Sequence, residues 1–230
     1  MDISNLPEKE ADIYKKLART YKMDFDTLKL RGRELQILQV ADIEPLLGGK
    51  DPFEDVSTFP FWVRLWESAI LLADLMLSQP VEQGATLLEL GAGLGAPGLA
   101  AAANGYRVTL SDYESHILDF ERVSAAVNRL ENVDFTIIDW KNPPELPPFD
   151  TIIGAEILFR EDFFEPLLNL FRKYLKPGGV VYLAHDVRRK SLNGFLSKAE
   201  EFFEIAFSTR KMQDDEGEKI IVLNRLTQRS

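Results

Sequence analysis

The chain predicts a doubly wound α/β domain of the Rossmann-like class, built on a seven-stranded, mostly parallel sheet with helices on both faces. Three observations support this. The apolar run Thr86-Leu-Leu-Glu-Leu90 passes through glycines 91, 93 and 95 into an alanine-rich stretch. Beyond it, runs of strand length alternate with segments of helical period. The chain then ends in two apolar runs separated only by Asp214-Asp-Glu-Gly217 and its neighbours, too short a link for a parallel crossover.

The elements follow in order. A short helix is expected from Pro7 to Thr20. Residues 27–40 then alternate apolar and polar side chains on either side of a Gly-containing turn, which is a hairpin pattern. Residues 48–60 hold Gly48, Gly49, Pro52 and Pro60 among acids and read as a loop placed to lie over a site. Apolar positions at helical spacing put a helix at 64–78, with Trp62 and Trp66 four apart on one helical face. Strands are expected at 85–90, 106–111, 133–138, 150–155 and 179–184, and helices at 96–103, 114–129, 161–175 and 190–201. Residues 204–211 and 219–225 form a closing antiparallel hairpin.

With 230 residues and 45% hydrophobic content, the chain suits one packed core (residues 61–230) with an N-terminal extension (1–60). It has no membrane-length apolar run, and its polar start is unlike a secretory signal, so a soluble cytoplasmic monomer is expected. The absence of cysteine rules out disulfides, thiolate metal sites and cysteine nucleophiles. Two isolated histidines argue against a histidine-built metal centre. A formal charge of −10 disfavours nucleic acid as a partner and suits a cationic or neutral substrate.

Glycines at 91, 93 and 95 let a ligand lie against the bend, with backbone N–H groups pointing at it. Gly93-Leu-Gly95-Ala-Pro-Gly98 also satisfies the dinucleotide pattern G-x-G-x-x-G, so a nicotinamide oxidoreductase is the competing reading. Glu89 favours a different cofactor. A carboxylate two residues before Gly91 suits the cationic amino-acid tail of S-adenosylmethionine, which carries no pyrophosphate. In an open α/β sheet the strand ends converge on the ligand. Asp112, followed by Tyr113, would take the ribose hydroxyls, with helix capping as its alternative role. Asp139 would accept from the adenine amino group and Trp140 would face the ring, with turn chemistry the alternative for Asp139. Gly154 and Ala155 keep the methionine end clear.

Glu89-Leu-Gly-Ala-Gly-Leu-Gly95 closely resembles the first motif of class I S-adenosylmethionine-dependent methyltransferases. Glu156-Ile-Leu-Phe159 occupies the place of the Asp-x-x-Tyr signature of the methyltransferase-like protein-lysine group. Residues 61–69 are similar to that group's Trp-containing helix. This resemblance implies cofactor contact by Trp66 and a protein substrate presenting lysine. A small-molecule N- or O-methyltransferase acting on a small amine or another nucleophile is the alternative. Glu156 is the candidate for orienting the acceptor, with Phe159 and Phe163 as cation–π walls. His185 beside Asp186 reads as a hydrogen-bonded structural pair, and His116 as exposed.

Overall fold

A computed structural model of the chain describes residues 5–47, 60–189, 191–214 and 217–229. The loop expected to cover the site lies, apart from Pro60, outside the described residues.

The N-terminal residues form α1 (Glu8–Leu17), the hairpin β1 (Met23–Leu30) and β2 (Arg33–Val40), and a single turn, α2 (Glu44–Leu47). The hairpin starts four residues earlier than its alternation suggested, because Met23 already pairs with Val40. The outer edge of β2 docks on a core helix, α5 (Ser115–Val127), and on the residue that caps it. The Leu38 N–H donates to Ser124 Oγ at 2.9 Å. The Asn128 side chain both accepts from the Gln36 N–H at 2.9 Å and donates to its carbonyl at 2.7 Å. An edge strand that would otherwise present unpaired backbone is thereby satisfied by side chains. Arg31 adds a two-pronged pair to Asp74, with both contacts at 2.8 Å.

From residue 60 the chain continues through a 3₁₀ turn, Phe61–Val63, into α3 (Glu67–Ser78). This corrects the expected helix at 64–78. Arg64 is extended, at φ −109° and ψ 136°, and Trp66 is the N-cap. Trp62 and Trp66 therefore do not share a helical face. Next come β3 (Thr86–Leu90), α4 (Ala96–Ala103), β4 (Arg107–Asp112), α5, β5 (Val133–Ile137), β6 (Phe149–Ala155), α6 (Phe164–Tyr174) after a 3₁₀ turn, β7 (Leu175–Asp186), α7 (Ser191–Ala199), β8 (Phe203–Asp214) and β9 (Gly217–Gln228). Every strand and helix expected in this stretch is present, and β7, β8 and β9 run longer than their apolar cores suggested.

The sheet order is β5-β4-β3-β6-β7-β9-β8. Pairing is parallel from β5 to β7 and antiparallel where β9 enters between β7 and β8. Helices α3 and α4, with Ala125 of α5, pack one face, and α6 and α7 pack the other. The strand order reverses between β3 and β6, which leaves a crevice at their carboxyl ends. At the opposite ends, Asp150 Oδ2 accepts from the Thr86 N–H at 2.8 Å and from Lys176 Nζ at 2.9 Å, tying β3, β6 and β7 together. One end of these strands is thus fastened by an ion pair while the other stays open for chemistry.

Asn128→Ala removes the two-way contact with β2 and leaves the Gln36 amide short of a partner, at a cost of about 1–3 kcal/mol. Urea unfolding should show a lower midpoint at an unchanged slope, and an unchanged midpoint would show that the Asn128 contact contributes nothing to holding the hairpin.

Candidate active site

A cavity of about 790 Å³ fills the crevice. Glu89, the bend at 91–95, Asp112, Trp140 and Glu156 all line it. The bend is left-handed at each glycine, with φ of 60° at Gly91, 56° at Gly93 and 71° at Gly95. A Cβ at Gly91 would sit 3.1 Å from Ile157 and 3.3 Å from the Trp140 ring, so a side chain there would press on the cavity wall.

The backbone donors of the bend differ from expectation. The Ala92 N–H donates to the Ser111 carbonyl, the Gly95 N–H to the Ala92 carbonyl and the Gly93 N–H to Asp112 Oδ2. These groups hold the bend itself. At the start of α4 the Gly98 N–H donates to Glu89 Oε2 at 2.7 Å. The electropositive helix end, which serves a phosphate in dinucleotide sites, is here served by the protein's own carboxyl group. Both features fit a cofactor with a cationic tail better than one with a pyrophosphate.

Three acids gather beneath the bend. Burial pushes Glu89 up to about 8, against the downward pull of the Gly98 N–H and with a small addition from Asp112. Burial also raises Asp112, opposed by the Gly93 and Tyr113 N–H groups. The third, Glu121 of α5, was not anticipated. It is fully buried with neither carboxyl oxygen hydrogen-bonded, and burial followed by the nearby Asp112 and Glu89 charges raises it well above the ordinary range. Gly95 makes room for it, since a Cβ there would lie 3.1 Å from Glu121 Cγ.

The remaining expected residues are placed as follows. Asp112 does not cap α5, whose N-cap is Glu114 without a side-chain bond. Tyr113 is 67% exposed at the rim. Asp139 accepts from the Lys141 N–H at 2.9 Å and from the Asn142 side chain at 3.1 Å, the turn chemistry that was its alternative, and these bonds lower its pKa. Trp66 lines the cavity and donates from its indole N–H to the Phe61 carbonyl at 2.9 Å. Trp62 packs between Tyr21, His116 and Phe120. His116 is therefore packed rather than simply exposed, and it also pairs with Glu114.

The far wall carries Ala155 and Glu156 at the end of β6, with Phe159 and Phe163 just beyond. Trp140, Phe159 and Phe163 form an aromatic trio with centroids 5.1 to 6.2 Å apart. Glu156 has φ 56°, a conformation costly for a residue with a Cβ and typical of functional positions. His185 is wholly buried under this loop, where its Nε2 accepts from the Leu158 N–H at 3.4 Å. Burial, and then the charge of Arg189, push it down to about 3, so it is neutral. Its partner is the loop and not Asp186, which pairs with Arg188. Among the described residues no group of three acids or histidines is arranged to hold a metal.

The buried acids make stability depend on pH. Glu89 and Glu121 both ionise at higher pH in the folded protein than in the unfolded chain, so the folded state retains more protons and stability falls as pH rises from the ordinary carboxyl range towards about 8. Glu121→Gln removes one contribution. Its melting temperature should fall less than the wild type's between about pH 5 and about pH 8, and at the upper end it should melt higher. A lower melting temperature there would mean that the carboxylate is stabilising.

Residues 55–202 match the profile of a family described as lysine methyltransferases. The chain is 33% identical over 171 residues to the mouse histone-arginine methyltransferase METTL23, covering 67% of this chain and 68% of that protein. It is 30% identical to the protein N-lysine methyltransferase METTL21A of Xenopus tropicalis (62% and 68% covered). To the protein-lysine N-methyltransferase rrg1 of Schizosaccharomyces pombe it is 29% identical (74% and 60%). The chain thus spans about two thirds of the length of these relatives. Among solved structures, the N-methyltransferase NodS of Bradyrhizobium japonicum, in complex with S-adenosylhomocysteine, superposes with a TM-score of 0.58 at 20% identity, covering 82% of this chain and 97% of that one. A TehB-like SAM-dependent methyltransferase of Corynebacterium glutamicum gives 0.54 at 18% (78% and 100%). The cavity at the β3/β6 switch, its acid-capped glycine bend and the closing antiparallel strands thus belong to a member of the lysine methyltransferase family, with the fold of the S-adenosylmethionine-dependent methyltransferases.

Proposed function

We propose that the protein methylates a side-chain amine of a protein lysine, using S-adenosylmethionine as the donor. The observation that supports this most is a carboxylate in a strained backbone conformation, Glu156, lining the same acid-lined cavity as an aromatic trio. A lone carboxylate suits many cations, whereas a cavity lined by both a carboxylate and aromatic rings suits an amine that gains methyl groups. The family match and the lysine-directed relatives support the same acceptor, while METTL23 is described as arginine-directed.

When bound, the donor supplies an electrophilic methyl on a positively charged sulfur. The protein's task is alignment, which accounts for most of the acceleration in a displacement of this kind. Glu89 would receive the ammonium of the donor's tail and Asp112 its ribose hydroxyls. Asp139, Trp140 and Tyr113 would frame the base, and Trp66 and Ala155 would border the methionine end. Glu156 orients the acceptor nitrogen and Phe159 faces the alkylated product, whereas the Phe163 ring already carries Lys141 at 5.2 Å and Arg160 at 5.1 Å from its centroid. We extend the proposal to a monomer acting in the cytoplasm on a protein partner, with residues 1–60 as an extension on the catalytic core. The absence of cysteine is consistent with that compartment, and among the described residues no helix is long and apolar enough to cross a membrane.

Two measurements test this reading. Incubation of the protein with radiolabelled S-adenosylmethionine and cell lysate should mark a protein band, and label confined to small molecules would overturn the protein acceptor. Glu156→Ala should slow that transfer at least about a hundredfold while S-adenosylhomocysteine affinity stays within about threefold. Parallel loss of both would make Glu156 a structural residue.

A further inference from the structure

Glu156 already has cationic company. Its Oε1 accepts the Asp186 N–H at 2.7 Å, and its Oε2 accepts Arg189 Nε at 2.6 Å and a second guanidinium nitrogen at 2.5 Å. The pair lies on the cavity wall, with side-chain exposures of 14% for Glu156 and 28% for Arg189. Arg189 is fixed in turn, since its N–H donates to the Asp186 carbonyl at 3.0 Å. Each carboxylate oxygen has two lone-pair directions, so Oε1 keeps one free while Oε2 is saturated.

We infer that Arg189 sets the protonation state of the acceptor: by balancing Glu156, it turns that carboxylate from a counter-ion for an ammonium into a hydrogen-bond acceptor for an uncharged amine. The inference rests on Glu156 being the residue that orients the acceptor.

The chemistry requires such a device. Only an amine with a free lone pair can form the new N–C bond as the S–C bond breaks and its electron pair stays on sulfur. The surplus proton then leaves the alkylated nitrogen for water. An unbalanced carboxylate at the mouth would favour the ammonium form and delay attack to higher pH. The paired Glu156 and Arg189 carry no net charge, yet the second lone pair of Oε1 can still take an N–H and aim the nitrogen.

The neighbouring cations are held by acids other than Glu156, and Lys219 of β9 shares Glu67 with Arg64 while also acting on Asp186. His185 beneath the loop is neutral, and Asp186 is taken up by Arg188. On the other elements around the mouth, Arg160 and Lys141 both pair with Asp162, and Arg64 pairs with Glu67. Across the cavity, Glu89 and Asp112 lie under the bend.

The test follows initial rates of label transfer to lysate protein from saturating radiolabelled S-adenosylmethionine, between about pH 6.5 and about pH 10. Calorimetry with S-adenosylhomocysteine serves as the folding control. Arg189→Gln should transfer about tenfold more slowly near neutral pH and recover in alkali, its rising limb displaced upward by about one unit, with cofactor affinity within about twofold. Arg189→Lys should keep the wild-type limb, and Glu156→Gln should be slow with its limb displaced downward. Equal loss at every pH in Arg189→Gln would reduce Arg189 to a structural role, and faster transfer near neutrality would make it a latch that competes with the substrate. Either result overturns the inference. Wild-type rates in Glu156→Gln would overturn the underlying reading of Glu156 as well. A slow Glu156→Gln beside an Arg189→Gln with the wild-type profile would overturn only the role given to Arg189.

Discussion

The hydrogen bond from the Gly98 N–H to Glu89 holds the working end of this molecule together. It fastens the end of β3 to the first turn of α4 and closes a bend in which three glycines take left-handed conformations. It also places a carboxyl group where a phosphate would otherwise bind, at the positive end of the helix. The bond needs Gly98 itself: a Cβ there would come within 2.2 Å of Leu110 and 2.5 Å of Glu89 Oε2. The fourth glycine of the run, which taken alone suggests a dinucleotide, is in this chain what lets a buried acid replace the dinucleotide's phosphate.

From that bond the electrostatics of the cavity follow. An acid in a dry pocket favours its neutral form unless a cation arrives, and Glu89 has two further acids, Asp112 and Glu121, for company. Such a pocket is repelled by added anions and settled by added cations. The opposite wall is arranged differently, because Glu156 meets a guanidinium and a backbone N–H rather than other acids. One cavity therefore holds a region short of positive charge and a region already balanced. A cationic donor and an uncharged acceptor need that division.

Much of the fold was legible because burial imposes periodicity. The helix at 96–103 and the strands at 86–90 and 149–155 lie within a residue of expectation, since apolar runs in a doubly covered sheet have sharp ends. The start of α3 was not legible. The apolar pattern through Phe61-Trp62-Val63 is helical in spacing, but Trp62 is drawn into a cluster with Tyr21 and Phe120, contacts distant in sequence, and the chain must straighten at Arg64 before the helix begins. Glu89, Asp112 and Glu156, at or beside strand ends, and Trp140 in the turn after β5 were expected together and do line one cavity, because the fold class dictates where strand ends converge. Glu121 and Arg189 were not. A glutamate in Leu118-Asp-Phe-Glu-Arg122 reads as a solvated helix position, and only the missing Cβ of Gly95 and the neighbouring packing bury it. Arg189 looks like one of several basic residues in a row until the turn after β7 brings it to Glu156.

Every role proposed for the cavity depends on the acid-capped bend receiving a cationic nucleoside donor and not a redox dinucleotide. Isothermal titration of the purified protein with S-adenosylhomocysteine, and separately with NADH, tests it most directly. Saturable one-to-one heat with the first and none with the second is the predicted result. Saturation by NADH with no heat from S-adenosylhomocysteine would contradict it.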